Sequence, residues 1–323
     1  MISVVSYTPD RKDHWDALIQ GSPCANLLFY RNFMEYHADR FNDASVLVYQ
    51  EDRPVAVFPA NLTQDGQVVS HQGLTYGGII CATPVSITDM AHIFREITRH
   101  YHESGFSKIV YKRLPDYFRT HSFQEDLYPL FLVDAQLVRR DTSFVIPLKH
   151  EVSYQNRRKR GIRKAEKAGV TVEEGVGFEP FWEQVLIPNL MERHGVKPVH
   201  SKEEIQLLHS RFPHQIKQYN ALLQGEVVAG MTVFEHPGTA HAQYISANET
   251  GKNTAALDLL ADFLVGRYRP EKQYFSLGIS NEQNGRELNL GLAQWKEGFG
   301  AVVFAHDFYE FDTGKYTALD PLI

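Results

Sequence analysis

The chain has 323 residues, of which 43% are hydrophobic and 22% charged, and its formal net charge is −6. A chain of this length accommodates two domains of ordinary size and a core that needs no staples, and its balance of residue types excludes the disordered and fibrous classes. The mild acidity gives no global attraction to nucleic acid or to an anionic membrane.

The opening segment, Met1-Ile2-Ser3-Val4-Val5-Ser6-Tyr7, lacks the basic and apolar regions of a secretory signal. No apolar run approaches the roughly 20 residues that cross a bilayer, so no membrane insertion is expected and the cytoplasm is the expected location. Trp15, Leu18 and Ile19 predict a helix over residues 10–20, and Phe33, Tyr36 and His37 a second over 31–41. Cys24 and Cys81 form no CxxC and no disulfide framework; two buried thiols in a reducing compartment are expected. Val46–Gln50 alternates, turns at Glu51-Asp52-Arg53 and returns through 54–62 as a hairpin. Residues 68–80 read as an extended stretch interrupted by Gly73, Gly77 and Gly78. Residues 86–104 form a helix with Ile87, Met90, Ile93, Phe94 and Ile97 on one face, ended by Gly105 and followed by a strand over 108–114.

The second half replays this order. Helices are predicted over 181–191 and 202–211, a hairpin over 219–234 with its turn at Gln224-Gly225-Glu226, an extended segment over 239–247, a helix over 255–268 and a strand over 273–279. A helix from about 285 to 297 and a strand over 302–311 close the fold, and 312–323 has few anchors and is expected to be loosely held. Hairpin, strand, long helix and strand thus occur twice. That predicts an α/β protein of layered α+β type with two lobes, 1–150 and 151–323, each a mixed sheet flanked by helices.

A basic junction helix, 157–168, opens the second lobe. At 100° per residue Arg157, Arg160, Arg163, Lys164 and Lys167 fall within an arc of about 120°, and Asn156 reads as the cap. Cations in a first turn oppose the helix dipole at about 0.3–1 kcal/mol each, so Arg157, Arg158, Lys159 and Arg160 call for an offset. A solvated face and an anionic ligand, a diphosphate or an RNA backbone, both supply one.

Further along, Ala247 and Asn248-Glu249-Thr250-Gly251-Lys252-Asn253-Thr254 link a strand to a long helix. Such a turn exposes N–H groups at a positive dipole end and suits a pyrophosphate, with Asn248, Gly251, Asn253 and Thr254 as binding residues; as an ordinary loop it would have Asn253 as N-cap. Gly278 lies inside the strand Tyr274-Phe275-Ser276-Leu277-Gly278-Ile279-Ser280, where glycine marks a bulge or a close approach. Lys296 lies off the centre of an apolar stripe, Leu288, Leu292, Trp295 and Phe299, in a position a snorkelling surface lysine also takes. His71 and Tyr76 stand in a glycine-bearing segment of the first lobe that reads equally as a ligand site and as a structural turn. There is no HExxH, P-loop or GxSxG motif, and no metal is expected.

On these residues the sequence resembles the FemAB-like branch of the GNAT superfamily, with two tandem GNAT-like lobes. The resemblance is carried by Ile162-Arg163-Lys164-Ala165-Glu166-Lys167-Ala168-Gly169-Val170, by Phe275-Ser276-Leu277-Gly278-Ile279-Ser280 and by Lys296-Glu297-Gly298-Phe299-Gly300. It implies acyl or aminoacyl transfer to an amine, with aminoacyl-tRNA as donor in the peptidoglycan-bridge enzymes and acetyl-CoA in the broader relatives. It also implies an important lysine at Lys296, and contact of Arg157, Arg160 and Arg163, as a group, with the diphosphate of a nucleotide-linked acceptor. Asn248 and Asn253 stand where the GNAT pyrophosphate loop has Arg or Gln and Gly or Ala, and the coiled-coil arm of some bridge enzymes is not visible.

The leading expectation is an N-acyltransferase using acetyl-CoA or another acyl-CoA, with a small or nucleotide-linked amine as acceptor, a cell-envelope precursor among them. Lys296 would stabilise negative charge, and Glu282, His241 or Tyr244 would relay the proton. Gly278 and Ser280 would line the acceptor side. The alternatives are aminoacyl transfer from tRNA and a non-catalytic binding module of the same fold.

Overall fold

In a computed structural model, which describes residues 2–121, 123–175 and 177–323, the chain folds into two compact units. One gathers Met1–Thr142, Asn281–Glu287 and Ala305–Ile323; the other gathers Ser143–Ser280 and Leu288–Phe304. Each unit is therefore assembled from discontinuous segments, and the closing strand Val302–Asp312 serves both.

In the first unit Ile2–Ser6, Val46–Gln50, Arg53–Phe58 and Ile80–Cys81 make an antiparallel sheet in that order. In a second sheet Lys108–Lys112 pairs antiparallel with 308–312 and parallel with Val68–Val69. The helix Ile87–Glu103 crosses over between the parallel strands, capped by the Ser86 side chain, which accepts the Asp89 N–H. It buries Met90, Ile93, Phe94 and Ile97 against Phe58, Tyr111 and Phe311.

Three expectations for this unit need correction. The helix expected over 31–41 is a short α-turn, Arg31–Met34, followed by a 3-10 turn, Glu35–His37. His37 Nδ1 lies 2.7 Å from the Met34 carbonyl oxygen, the acceptor a continuing α-helix would offer to residue 38. Between Val68–Val69 and Ile80–Cys81 the chain is a loop rather than a strand, with His71 (φ 62°) and Gly78 (φ 88°) in the left-handed region. The tail is anchored: Thr313–Leu322 is a 3-10 helix that packs on Ile87–Glu103, buries Leu319 and accepts at Asp320 from Arg95 Nε at 2.6 Å. Cys24 and Cys81 are both buried free thiols.

The second unit is built on a mixed sheet ordered Thr171–Glu174, Ile216–Leu223, Glu226–Glu235, Thr239–Ala247, Tyr274–Ile279 and 143–147. A parallel contact joins Thr239–Ala247 to Tyr274–Ile279, and the helix Ala256–Tyr268 makes the crossover, burying Ala256, Leu260, Ala261 and Leu264 on the sheet. The other face is covered by the segment from Glu179 to His194, which contains a π-turn at Trp182–Leu186. Pro188 has no N–H to offer the Gln184 carbonyl, and the helix widens there. The helix expected from 285 begins only at Leu290, because Gln283, Asn284 and Gly285 all have positive φ; Asn289 caps it by accepting the Leu292 N–H. Both units thus carry a hairpin and a strand–helix–parallel strand crossover. Among the described residues no helix is long and apolar enough to cross a membrane.

Phe275 is fully buried at the centre of the second unit's core. Phe275→Ala is expected to lower the free energy of unfolding by about 3–5 kcal/mol, the cost of an unfilled aromatic site, as read from urea denaturation.

Candidate active site

Strand Thr239–Ala247 pairs with Glu226–Glu235 along its length, with one irregularity. Val233 faces Ala242 and Thr232 faces Tyr244, so Gln243 is an extra residue that bulges the strand. On its other edge the strand is paired for only three residues, from Thr239↔Tyr274 to His241↔Ser276. Gly278 then adopts φ +73°, and the ladder of its strand with 143–147 also slips between Ser276 and Ile279. A left-handed conformation costs glycine little and a Cβ-bearing residue about 1–2 kcal/mol. The two parallel strands therefore part after His241, and among the described residues no strand pairs with 242–247 on that edge.

Lys296 sits at this split. Its helix, Leu290–Glu297, sends the side chain inward, and the residue is 2% exposed rather than snorkelling. Nζ donates to the carbonyl oxygens of Gly278 (3.0 Å) and Ile279 (2.6 Å) and lies 5.6 Å from the Phe144 ring centroid. Burial lowers its pKa from 10.5 to about 7, since removing water penalises the charged form. The bend at Gly278 and the buried ammonium are thus one feature.

His241 is brought to the same place. It is buried, its Nδ1 lies 3.0 Å from Ser276 Oγ, and a Cβ at Gly278 would come within 3.6 Å of its Cε1. Burial first, and the charge of Lys296 second, lower its pKa to about 4, so the imidazole is neutral at neutral pH. Ser280 is also buried, and its carbonyl accepts the Asn289 N–H at 2.9 Å, which fixes the start of the Lys296 helix. Tyr244 is engaged elsewhere on its strand: its hydroxyl accepts the His200 N–H at 3.1 Å, lies 2.6 Å from His200 Nδ1, and its ring packs edge-on against Trp182. Glu282 is exposed and belongs to the first unit.

Past Ala247 the chain forms a short helix, Glu249–Thr254, instead of a loop, and Asn248 rather than Asn253 is its cap. The Asn248 side chain accepts the Gly251 N–H at 2.9 Å, and Thr254 Oγ1 donates to the Thr250 carbonyl. Gly251 is buried where a Cβ would meet the Val228 carbonyl oxygen at 2.2 Å, and Asn253 is exposed. Ala255, at φ 59°, separates this turn from the long helix Ala256–Tyr268.

The basic helix runs Asn156–Lys167, with Gln155 rather than Asn156 at the cap position. Arg157, Arg160 and Arg163 are exposed, whereas Arg158 is buried, donating to Asp258 Oδ1 at 2.5 Å. Trp295 Nε1 donates to the same oxygen at 2.8 Å, and Gly161 packs so closely that a Cβ would fall 1.9 Å from Asp258 Oδ2. One buried carboxylate thus ties the basic helix, the crossover helix and the Lys296 helix together. Its sequence signal is an acid among the apolar residues of a crossover helix, with a glycine in the basic helix. In the first unit, His71 is buried and lends its carbonyl to Lys112 Nζ, and the Tyr76 hydroxyl accepts from Asn26 Nδ2 at 2.8 Å.

Among solved structures the chain is similar to FemX at 10% identity with a TM-score of 0.68, over 96% of this chain and 97% of that one. It is similar to L-PGS from Bacillus licheniformis at 11% identity and 0.59, over 98% and 95%, and to a conserved protein of unknown function from Bacteroides thetaiotaomicron at 10% and 0.62, over 97% and 99%. No family model matches the sequence, and no curated protein does. The chain shares the fold of FemX and of L-PGS.

The depressed pKa of Lys296 sets a pH dependence. Below about 7 both folded and unfolded chains carry the charge, and the folded chain bears the whole desolvation cost. Between about 7 and the ordinary 10.5 only the unfolded chain holds the proton, so this group's contribution to stability rises with pH. The stability of Lys296→Met relative to the parent should therefore fall as pH increases through this window, in urea midpoints; a flat difference would contradict the burial argument.

Proposed function

From a FemAB-like fold with a buried lysine at a strand split, we propose that the chain is an acyltransferase that moves an acyl group from an acyl-CoA to an amine. The observation that carries this reading is the three-residue pairing of Thr239–Ala247 with Tyr274–Ile279, with Lys296 held beside its end. A strand edge without a partner offers main-chain N–H and C=O groups at fixed spacing. The amide-bearing arm of a CoA thioester is a chain of the right chemistry to pair with it. The bulge at Gln243 re-aims the main chain where the thioester carbonyl would lie.

In acyl transfer the amine nitrogen adds to the acyl carbonyl, whose oxygen takes negative charge; that intermediate then collapses with the C–S bond breaking, and the proton the nitrogen gives up replaces the one that Nζ hands to the departing thiolate. Lys296, protonated in part of the population near pH 7, stabilises the developing oxyanion and holds a proton at Nζ for the leaving group. His241, already neutral, adds no competing positive charge and orients the split through Ser276. With a low pKa it is a weak base, which favours an amine that arrives unprotonated. Glu249–Thr254, at the end of the same strand, is where the donor's phosphates would lie against Asn248 and Thr254.

The exposed cations Arg157, Arg160 and Arg163 favour an acceptor that carries phosphate, a nucleotide-linked cell-envelope precursor being of that class. The same cations favour a second reading, an aminoacyl-tRNA donor. Acetyl-CoA at a hundred times its dissociation constant should stabilise the chain by about 2.7 kcal/mol in a thermal-shift assay. Lys296→Ala should lower kcat about a hundredfold in a thiol-release assay with donor affinity unchanged. Absence of any shift with acyl-CoA, together with turnover from charged tRNA, would move the donor to the second reading.

A further inference from the structure

We propose that Asp258 is a positioning residue for Lys296, and that through Arg158 it makes the basic helix set where that lysine sits. The kinetic consequence rests on the proposed acyl transfer; the placement rests on contacts within the second unit alone.

Lys296 belongs to a helix of eight residues, Leu290–Glu297. A helix so short does not hold its shape or direction unaided, and its anchors decide where Nζ points. At its start the Asn289 N–H donates to the Ser280 carbonyl at 2.9 Å. At its end Trp295, the residue before Lys296, donates from Nε1 to Asp258 Oδ1 at 2.8 Å. Successive side chains leave a helix about 100° apart, so fixing the indole fixes the direction in which Lys296 leaves it.

The basic helix holds the same turn. The Gln155 N–H donates to the Gly298 carbonyl at 2.9 Å, and a Cβ on Gly298 would lie 2.9 Å from Arg158 Cγ. The Arg158 guanidinium stands 5.8 Å from the Phe299 ring centroid and donates to the same Asp258 oxygen at 2.5 Å. Both bonds use Oδ1, and Gly161 closes the space at Oδ2, where a Cβ would come within 1.9 Å. A carboxylate pushed from that side gives up one bond or both. Arg158 opposes the dipole of its own helix, and Asp258 offsets it beside the turn that carries Lys296.

Lys296 depends on this placement because Nζ is held by the carbonyls of Gly278 and Ile279 and, among the described residues, by no carboxylate. The titratable group beside it, His241, is neutral at neutral pH. A swing of the helix end breaks the carbonyl bonds and admits water, which favours the charged form.

Two variants test this. Gly161→Ala places a methyl against Oδ2 while favouring the basic helix itself, since alanine is the better helix former. Trp295→Phe removes the N–H and keeps an aromatic ring. Neither replaces a group that bonds Nζ. In lysine-labelled protein carrying Lys112→Met, each should move the Lys296 midpoint from about 7 towards 10.5. In a thiol-release assay each should lower kcat about tenfold to a hundredfold, with the KM for acetyl-CoA unchanged. The double variant should shift the midpoint no further than the larger single shift, because both changes act on one carboxylate. Circular dichroism like the parent's shows which variants fold, and Trp295→Phe alone decides if Gly161→Ala does not. A midpoint that stays at about 7 in a folded variant overturns the proposal, and so do two shifts that simply add. Absence of thiol release by the parent overturns the transfer reaction instead, and the titration still decides the placement.

Discussion

The ammonium of Lys296 is held by two main-chain carbonyls and, among the described residues, by no carboxylate. That arrangement is costly, because burying a charge without a counter-ion is opposed by the loss of its hydration. Its neighbours follow from it. The carbonyls of Gly278 and Ile279 converge on Nζ at the point where Gly278 takes a left-handed conformation, and that conformation is also what carries the strand away from Thr239–Ala247. The helix that supplies Lys296 is fixed at its start by Asn289 on Ser280 and at its end by Trp295 on Asp258. A neutral His241 completes the place, its charged form disfavoured first by burial and then by the nearby Lys296.

The first unit contains a comparable device. Lys112 is buried on a strand of the parallel pair, its Nζ donates to the carbonyls of His71 and Leu74, and burial lowers its pKa to about 7. Here the lysine fastens a glycine-bearing loop to the sheet, in which Gly77 lies against the Ser70 carbonyl. A lysine bonded to main-chain carbonyls is thus used in each unit to secure a segment that departs from regular pairing. In the second unit the departure leaves 242–247 without a paired strand on one edge among the described residues; in the first the lysine holds the loop itself.

Much of the fold was legible because period and punctuation agree. The apolar spacing of residues 87–97 and the turn at Gln224-Gly225-Glu226 leave few alternatives, and the repeated order of elements points to two lobes. Gly278 was legible as an interruption, since glycine inside a strand asks for a reason. What was not legible depends on contacts made far along the chain. Lys296 reads as a surface lysine until the Gly278 bend is seen to present carbonyls to it. Arg158 reads as one more cation of a basic run until Asp258, a hundred residues away, is seen to bury it. The Asn248 segment reads as an open loop because its glycine suggests a close ligand, whereas Gly251 is spent on the approach to Val228. The tail reads as loose because its anchors, Thr313 on Phe106, Lys315 on Asp134, the buried Leu319 and Asp320 on Arg95, act on partners that sequence spacing does not reveal.

The claim on which the account rests is that the amine at position 296 is poised near neutrality by burial. It is tested most directly by following the side-chain resonance of Lys296 through a pH titration of lysine-labelled protein, in a Lys112→Met background so that one buried lysine remains. A midpoint near 7 is the predicted result. A midpoint at the ordinary lysine value of 10.5 would mean that the ammonium is solvated and that the strand split holds no such group.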